Sequence, residues 1–358
     1  MFQPLLDNPT PDFDHYIRVL KGEDQTQKVP LVEIGIDEEI LQTIADQHAP
    51  DLAKRLTAKD PAARTEMFRL LGYDYVPVWL NWLNHPDPRQ RIGADTAVHT
   101  REERKWTEEG AGLITSWAEF EQFPWDDITP DMAGVERHIA YLPEGMKAIV
   151  FSTMFEHVFE KLLGFETMSY LMFDEPALVD AVFERWGQKV YDYYAEVVSR
   201  DEFGVLFHAD DMGYTTSTLI SPAALRNLVL PWHKKYAALA HQHDKPFYLH
   251  SCGNLYKKGI IEDEINDVGI DGFNSFQDPI KPVTEFKAEY GDRVATLGGV
   301  DIDKMIRMPE ADFRAYVRDI LTKCMPGGRY AIGTGNSVAN YVPVERFYIM
   351  LEEARNWC

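Results

Sequence analysis

Short runs of β-branched and aromatic residues, each closed by Gly, Asp, Asn or Pro, recur eight times along the chain and read as strands. They occupy residues 29–36, 75–80, 148–153, 204–209, 246–251, 270–276, 294–299 and 330–334. The stretches between them change period. In residues 176–199 the apolar positions Ala177, Val179, Ala181, Val182, Trp186, Val190 and Tyr193 recur at helical spacing. Another helix opens at Ser221-Pro222, with Ser as N-cap and Pro in the first turn. Strands alternating with helices imply parallel strands joined by helical crossovers, and eight such units predict a closed (β/α)8 TIM barrel. An open doubly wound sheet is the alternative.

The pattern is less regular early on. Residues before 29 form an N-terminal extension. Residues 84–146 hold one weak strand candidate at most and are rich in Trp, Asp, Glu and Pro. They read as an insertion after the second strand that folds over one end of the barrel. No low-complexity linker and no solenoid repeat divides the chain, so residues 1–358 are expected to form a single domain.

Composition narrows the partners. A chain of 358 residues, 45% of them hydrophobic, can bury a large core. Against 36 Lys and Arg stand 58 Asp and Glu, a net charge of -22. Such a surface repels phosphate backbones and anionic lipid, which argues against nucleic acid and membrane partners. Solubility is the simplest reading of the charge, although it also suits a basic partner. No apolar run nears the roughly 20 residues that cross a bilayer. The opening residues carry no basic and apolar signal pattern, so a cytoplasmic protein is expected. Cys252, Cys324 and Cys358 are too few for a disulfide framework and read as reduced thiols, Cys358 as an exposed one.

Barrel active sites gather at the C-terminal ends of the strands. Reading past each run in turn gives Glu33 and Asp37, Trp79 and Asn81, and Thr153, Phe155 and Glu156. The later runs give His208, Asp210 and Asp211, His250 and Cys252, Asn274 and Gln277, Asp301, and Asn336. The sharpest feature is His250-Ser251-Cys252-Gly253. Alternate residues of a strand share a face, so His250 and Cys252 can reach one ion, and imidazole with thiolate suits zinc. The competing reading is a buried His beside a small core Cys. A catalytic zinc needs about three protein ligands. Cys324 falls near a helix end on the far face, which leaves Asp210, Asp211, Glu156 or Glu33 to supply a carboxylate. By the same alternation His208 and Asp210 share a face, and the Asp210-Asp211 pair could bind metal, orient substrate or exchange protons; a capping role is the alternative. Glu33 and Asn336 complete the catalytic candidates. Trp79, Glu156, Tyr214, Gln277 and Asp301 are candidate substrate contacts. Trp79, Phe155, Tyr214 and Phe276 either build an aromatic pocket or belong to the core. Gly333-Thr334-Gly335 is half a dinucleotide fingerprint and is discounted, and His241-Gln242-His243 reads as solvated surface.

The stretches Phe203–Gly213, Leu219–Pro222, Leu230-Pro231-Trp232, His250–Asn254, Val294–Asp301 and Gly327–Glu345 resemble the uroporphyrinogen decarboxylase superfamily. The resemblance spans nearly the whole chain and is strongest over residues 201–354. It implies a (β/α)8 barrel and two branches of activity. One branch decarboxylates uroporphyrinogen without a cofactor. The other holds zinc methyltransferases that move methyl groups between a corrinoid and a thiol or a methylated substrate. The decarboxylases carry an Arg-Gln-Ala-Gly-Arg stretch after the first strand, where this chain reads Glu33-Ile34-Gly35-Ile36-Asp37-Glu38-Glu39. An acidic loop repels a polycarboxylate. Their His after the last strand is replaced by Asn336. His250 and Cys252 match the methyltransferase pair, but its third ligand, a Cys near the last strand, has no counterpart in Gly333-Thr334-Gly335-Asn336. The resemblance therefore implies zinc and a corrinoid, methylcobalamin included, as substrate or on a corrinoid protein, with a small methyl donor or thiol acceptor. The alternatives are a metal-free decarboxylase of a small acid, with Asp210 or Asp211 as general acid, and a non-catalytic corrinoid or tetrapyrrole binder.

Overall fold

The computed structural model describes residues 2–24, 28–86, 90–94, 103–107, 110 and 112–357, with the runs 90–94 and 103–107 as backbone only. Seven parallel strands form one curled sheet in chain order. They are β1 (Tyr75–Trp79), β2 (Lys147–Ser152), β3 (Phe203–Ala209), β4 (Phe247–His250), β5 (Gly272–Asn274), β6 (Ala295–Leu297) and β7 (Tyr330–Ala331). Each neighbouring pair is joined through helices, as the alternating sequence pattern requires.

The eighth predicted strand, residues 29–36, is present in place but not as a regular ladder. Val32 N–H donates to the Ile332 carbonyl (2.8 Å), and Ile332 N–H donates to that of Pro30 (2.8 Å). Parallel bridges join Leu31 to Ile332 and Ile36 to Val338. Toward β1 the contact runs through side chains: the Tyr75 hydroxyl meets the Glu33 backbone at 2.8 Å, and Trp79 Nε1 donates to the Ile34 carbonyl at 3.0 Å. Pro30 brings no N–H to the Ile332 side, which limits the backbone pairing there. The segment closes the curled sheet into a barrel all the same.

An aromatic tier fills the interior. Trp79 stacks on Phe151 (centroids 4.8 Å), Phe151 on Phe207 (4.7 Å), and Phe207 meets Tyr248 edge-on (5.6 Å), following the register of β1 to β4. The next residues of β3 and β4 point alternately outward and inward. His208 faces Tyr194 and Tyr236 on the outer helices Pro176–Val198 and Leu230–Gln242. His250, two residues beyond Tyr248, faces the mouth of the barrel.

The insertion contains more strand than the sequence pattern predicts. Trp82–Leu83 pairs antiparallel with Thr129–Pro130, and Gln90–Ala94 with Glu103–Thr107. These segments are two to five residues long, too short to leave a legible alternation. No helix among the described residues is long and apolar enough to cross a membrane.

Candidate active site

β4 ends at His250, and the chain turns at once. Gly253 takes φ 103°, and a Cβ there would lie 2.1 Å from the backbone of Gly213, so only glycine lets the Cys252 loop pack on the Gly213–Tyr214 hairpin strand. Gly335 does the same on the opposite wall. A Cβ there would lie 2.0 Å from the Phe276 carbonyl, and the close approach carries Asn336 to the Cys252 side chain.

Asp211, His250 and Cys252 bring a carboxylate oxygen, a ring nitrogen and the sulfur within 4.8 Å of one another. The protonation of the imidazole follows from its neighbours. Asn274 Nδ2 donates to the Leu297 carbonyl (2.6 Å), so Asn274 Oδ1 is the atom left facing His250 Nδ1 at 2.6 Å. A carbonyl oxygen accepts, so Nδ1 carries a proton, and in the neutral ring the lone pair is the one on Nε2. That lone pair faces Cys252 Sγ at 3.6 Å and Asp211 Oδ1 at 3.5 Å. Ser275 Oγ and Asn336 Nδ2 each donate to the sulfur at 3.2 Å. Ser275 pays a conformational penalty to stand there, with φ 111°, a region that costs a residue with a Cβ about 1–3 kcal/mol. Burial, and after it the Asp211 charge, raises the Cys252 thiol above its usual range.

Glu156 sits beside this group on the first turn after β2. Burial and then the Asp211 charge push its carboxyl up to about 8. Imidazole lone pair, thiol and crowded carboxylates form a donor set that suits a divalent cation. The residues present fit a zinc ion, and Asp211 stands where a third ligand would be needed.

Asp210 does not share this site, which corrects its reading as a catalytic acid. Its carboxylate points outward, fully buried, and accepts from the backbone N–H groups of Met154 (2.8 Å), Phe155 (2.8 Å) and Glu156 (3.2 Å). It also accepts from His208 Nε2 (2.8 Å) and His233 Nε2 (3.0 Å). His233 Nδ1 donates to Glu264 Oε1 (2.8 Å), and the Tyr194 hydroxyl meets His208 Nδ1 (2.9 Å). Burial opposes the charge on Asp210, but the two histidines outweigh it and hold the carboxyl well below its usual range. Burial likewise works against a charged His233, yet Glu264 and Asp210 raise it to about 10. An acid this strongly held has no proton to give near neutral pH. The sequence reading predicted the shared face of His208 and Asp210 but missed His233 and Glu264; His233 directly follows the Leu230-Pro231-Trp232 stretch and was the available signal.

The other candidates divide. Glu33 is buried, its carboxylate bonded to Thr334 N (2.8 Å) and Thr334 Oγ1 (2.5 Å) and pushed up to about 8 by burial. It ties the closing segment to the last strand. Asp301 caps the helix Ile302–Arg307, with its two oxygens taken by the N–H groups of Lys304 (3.0 Å) and Asp278 (2.9 Å). Phe155 is fully buried against Phe159 and Phe183, so it belongs to the core and not to an aromatic pocket. Trp79 and Tyr214 are about half exposed near the strand ends. Gln277, Asp301, Asn336 and Phe276 line a cleft of 520 Å³. Cys324 is buried at the end of the helix Glu310–Cys324 and contributes nothing to the site. His241 is paired with Asp271 at the surface (2.7 Å). Cys358 lies outside the described residues.

No curated protein sequence matches this chain. Among solved structures, a methyltransferase from Methanosarcina mazei superposes with a TM-score of 0.65 at 16% identity, over 95% of this chain and 96% of that one. At that identity the likeness shows the shared fold. A sugar phosphate isomerase/epimerase from Parabacteroides distasonis reaches a TM-score of 0.39 at 10% identity, over 93% of this chain and 96% of that one. The family model described as uroporphyrinogen decarboxylase (URO-D) matches residues 118–357, a range that holds β2 to β7 and both clusters around Asp210 and Asp211, and the chain belongs to that family.

Proposed function

We propose that this protein is a zinc-assisted methyltransferase linked to a corrinoid, moving a methyl group between a small methylated substrate or thiol and a cobalamin, itself the substrate or carried by a corrinoid protein. The observation that carries the reading is the His250 lone pair aimed at a thiol and a carboxylate. A decarboxylase has no evident use for that donor set. Asp211, His250 and Cys252 would hold the ion. Zinc bound there supplies Lewis acidity toward an oxygen or sulfur of the substrate.

The remaining work falls to the chain. Asn274 keeps the imidazole in its ligating tautomer. Ser275 and Asn336 hold the sulfur by hydrogen bonds and stabilise its ionised form. Glu156, whose carboxyl burial pushes up in the metal-free chain, stands beside Asp211 as the group able to exchange a proton with a departing or arriving substrate atom. Trp79 and Tyr214 flank the opening. Access of the corrinoid from the cytoplasm, as substrate or on a partner, belongs to the same reading.

Metal analysis of the purified protein and of His250→Ala and Cys252→Ala tests it. About one zinc per chain, lost in both variants, together with a spectral change on mixing with methylated or reduced corrinoid, is the expected result. A wild-type protein that takes up no zinc on titration overturns it and favours a metal-free lyase.

A further inference from the structure

Three helices connect the closing segment to β1: Glu38–His48, Pro50–Thr57 and Pro61–Leu71. Between them lies a cavity of 460 Å³ that shares no residue with the Asp211–His250–Cys252 cluster. Leu41 and Leu56 give it an apolar wall. Its neutral polar groups are committed to one another. Gln42 Nε2 donates to Asp46 Oδ1 (2.9 Å) and to the Ala53 carbonyl (3.2 Å). The Thr57 hydroxyl is shared between the Ala53 carbonyl (3.0 Å) and Gln42 Oε1 (3.2 Å), and Thr43 Oγ1 donates to the Glu39 carbonyl (2.7 Å).

Arg64 is the exception. Its side chain is only 17% exposed, stands over the Phe68 ring (5.3 Å) and makes no hydrogen bond among the described residues. The nearest carboxylate oxygen, Glu38 Oε1, is 3.9 Å away on a side chain that is 76% exposed, so that pair is screened and weak. Burial works against the guanidinium charge more than any neighbour supports it. A fork of donors held this way is costly until an acceptor fills it. Lys59 brings a second cation to the lining, also without a partner among the described residues. Two coplanar oxygens of one acceptor group match the fork. Glu38 and Glu39 offset the two cations, so the lining is neutral and suits a ligand with one negative charge better than one with two.

We infer that this cavity is a second ligand site that takes a small organic carboxylate, with its two oxygens on the Arg64 guanidinium, Lys59 beside them, and its apolar chain along Leu41 and Leu56. The amide of the same acid keeps the shape but turns an NH2 group toward donors. It loses a hydrogen bond and the ion pair together, which is the mismatch such a site discriminates most sharply.

Calorimetric titration of the purified protein with hexanoate and with hexanamide tests the site. The expected result is at least about tenfold tighter binding of hexanoate, which corresponds to about 1.4 kcal/mol. Acetate, which lacks the chain, should bind more weakly than hexanoate. Arg64→Gln should erase the preference for the acid over the amide. Leu56→Trp, which fills the cavity from a half-buried wall position, should abolish hexanoate binding and gives an independent test should the Arg64 variant fail to fold. No binding of hexanoate, equal affinity for acid and amide, acetate bound as tightly as hexanoate, or inorganic phosphate bound more tightly would each overturn the site. So would a preference that survives in Arg64→Gln or binding that survives in Leu56→Trp. Zinc uptake and methyl transfer enter none of these outcomes, so the site and the proposed function stand or fall separately.

Discussion

Asp210 and Asp211 are neighbours in the chain, yet they belong to opposite kinds of cluster. Asp210 lies outside the sheet, fully buried, with every approach occupied by a donor. Asp211 lies at the mouth, partly exposed, across from an imidazole lone pair and a thiol. Both clusters present ligand atoms close enough to grip an ion. Only one needs to. In the outer cluster a protonated His233 already supplies positive charge between Asp210 and Glu264. In the inner cluster Asn274 fixes the proton on His250 Nδ1 and leaves Nε2 turned to Cys252 and Asp211. The lesson is that ligand spacing identifies candidates, and proton bookkeeping chooses between them.

The sharpest way to break that contrast is Asp210→Ala. It leaves a protonated His233 buried beside an empty space and three backbone N–H groups without their acceptor. Loss of one partner of a buried pair costs about 3–5 kcal/mol, so the urea midpoint should drop severely. Cys252→Ala, by contrast, should move the metal-free protein by no more than about 1 kcal/mol. Similar losses in the two variants would erase the distinction drawn here. A smaller effect is expected from Asn274→Ala. Freed from its acceptor, His250 no longer holds one tautomer, and zinc affinity should fall about 10- to 100-fold, read by competition with a chelator, while the midpoint of the metal-free protein falls by less than in Asp210→Ala, since two buried neutral groups lose a partner at about 1–3 kcal/mol. An unchanged affinity would remove the tautomer argument.

The mildest probe is pH. His233 is raised from an ordinary value near 6.5 to about 10 in the folded protein. Its charge therefore stabilises the fold fully below about 6.5, and that contribution is lost as the pH rises through about 10. The urea midpoint should decline across that window, and His233→Gln should flatten the decline. A wild-type midpoint level from neutral pH to about 10 would mean that His233 is not charged between its two carboxylates.

Much of this was legible in the sequence, for reasons that can be stated. Strands 75–80, 148–153 and 204–209 are continuous apolar runs because both faces of a barrel strand are buried, and each appears within a residue or two. The spacing of His250 and Cys252 carried their shared direction, since a strand alternates with a period of two. Alternation also placed His208 with Asp210, but it could not say which face was the inner one, so Asp210 was read into the site that Asp211 occupies. Asn274 and Ser275 act through a hydrogen-bond chain that reaches to Leu297, and no local pattern records a contact of that range. The hairpin strands of the insertion escaped because two to five residues are too few to show a period.

The side-chain lacing between residues 29–36 and β1 makes the barrel a hoop with a clasp. Around most of the hoop neighbouring strands share backbone ladders, which separate only together. At the clasp a tyrosine hydroxyl and an indole N–H do the joining, and each can let go singly. Fluctuations that widen the hoop therefore begin between Ile34 and Trp79, beside the mouth, and the amides of that segment should exchange with solvent before those of β2 and β3. The same place that seals the barrel is where a bulky reactant would find it easiest to make room.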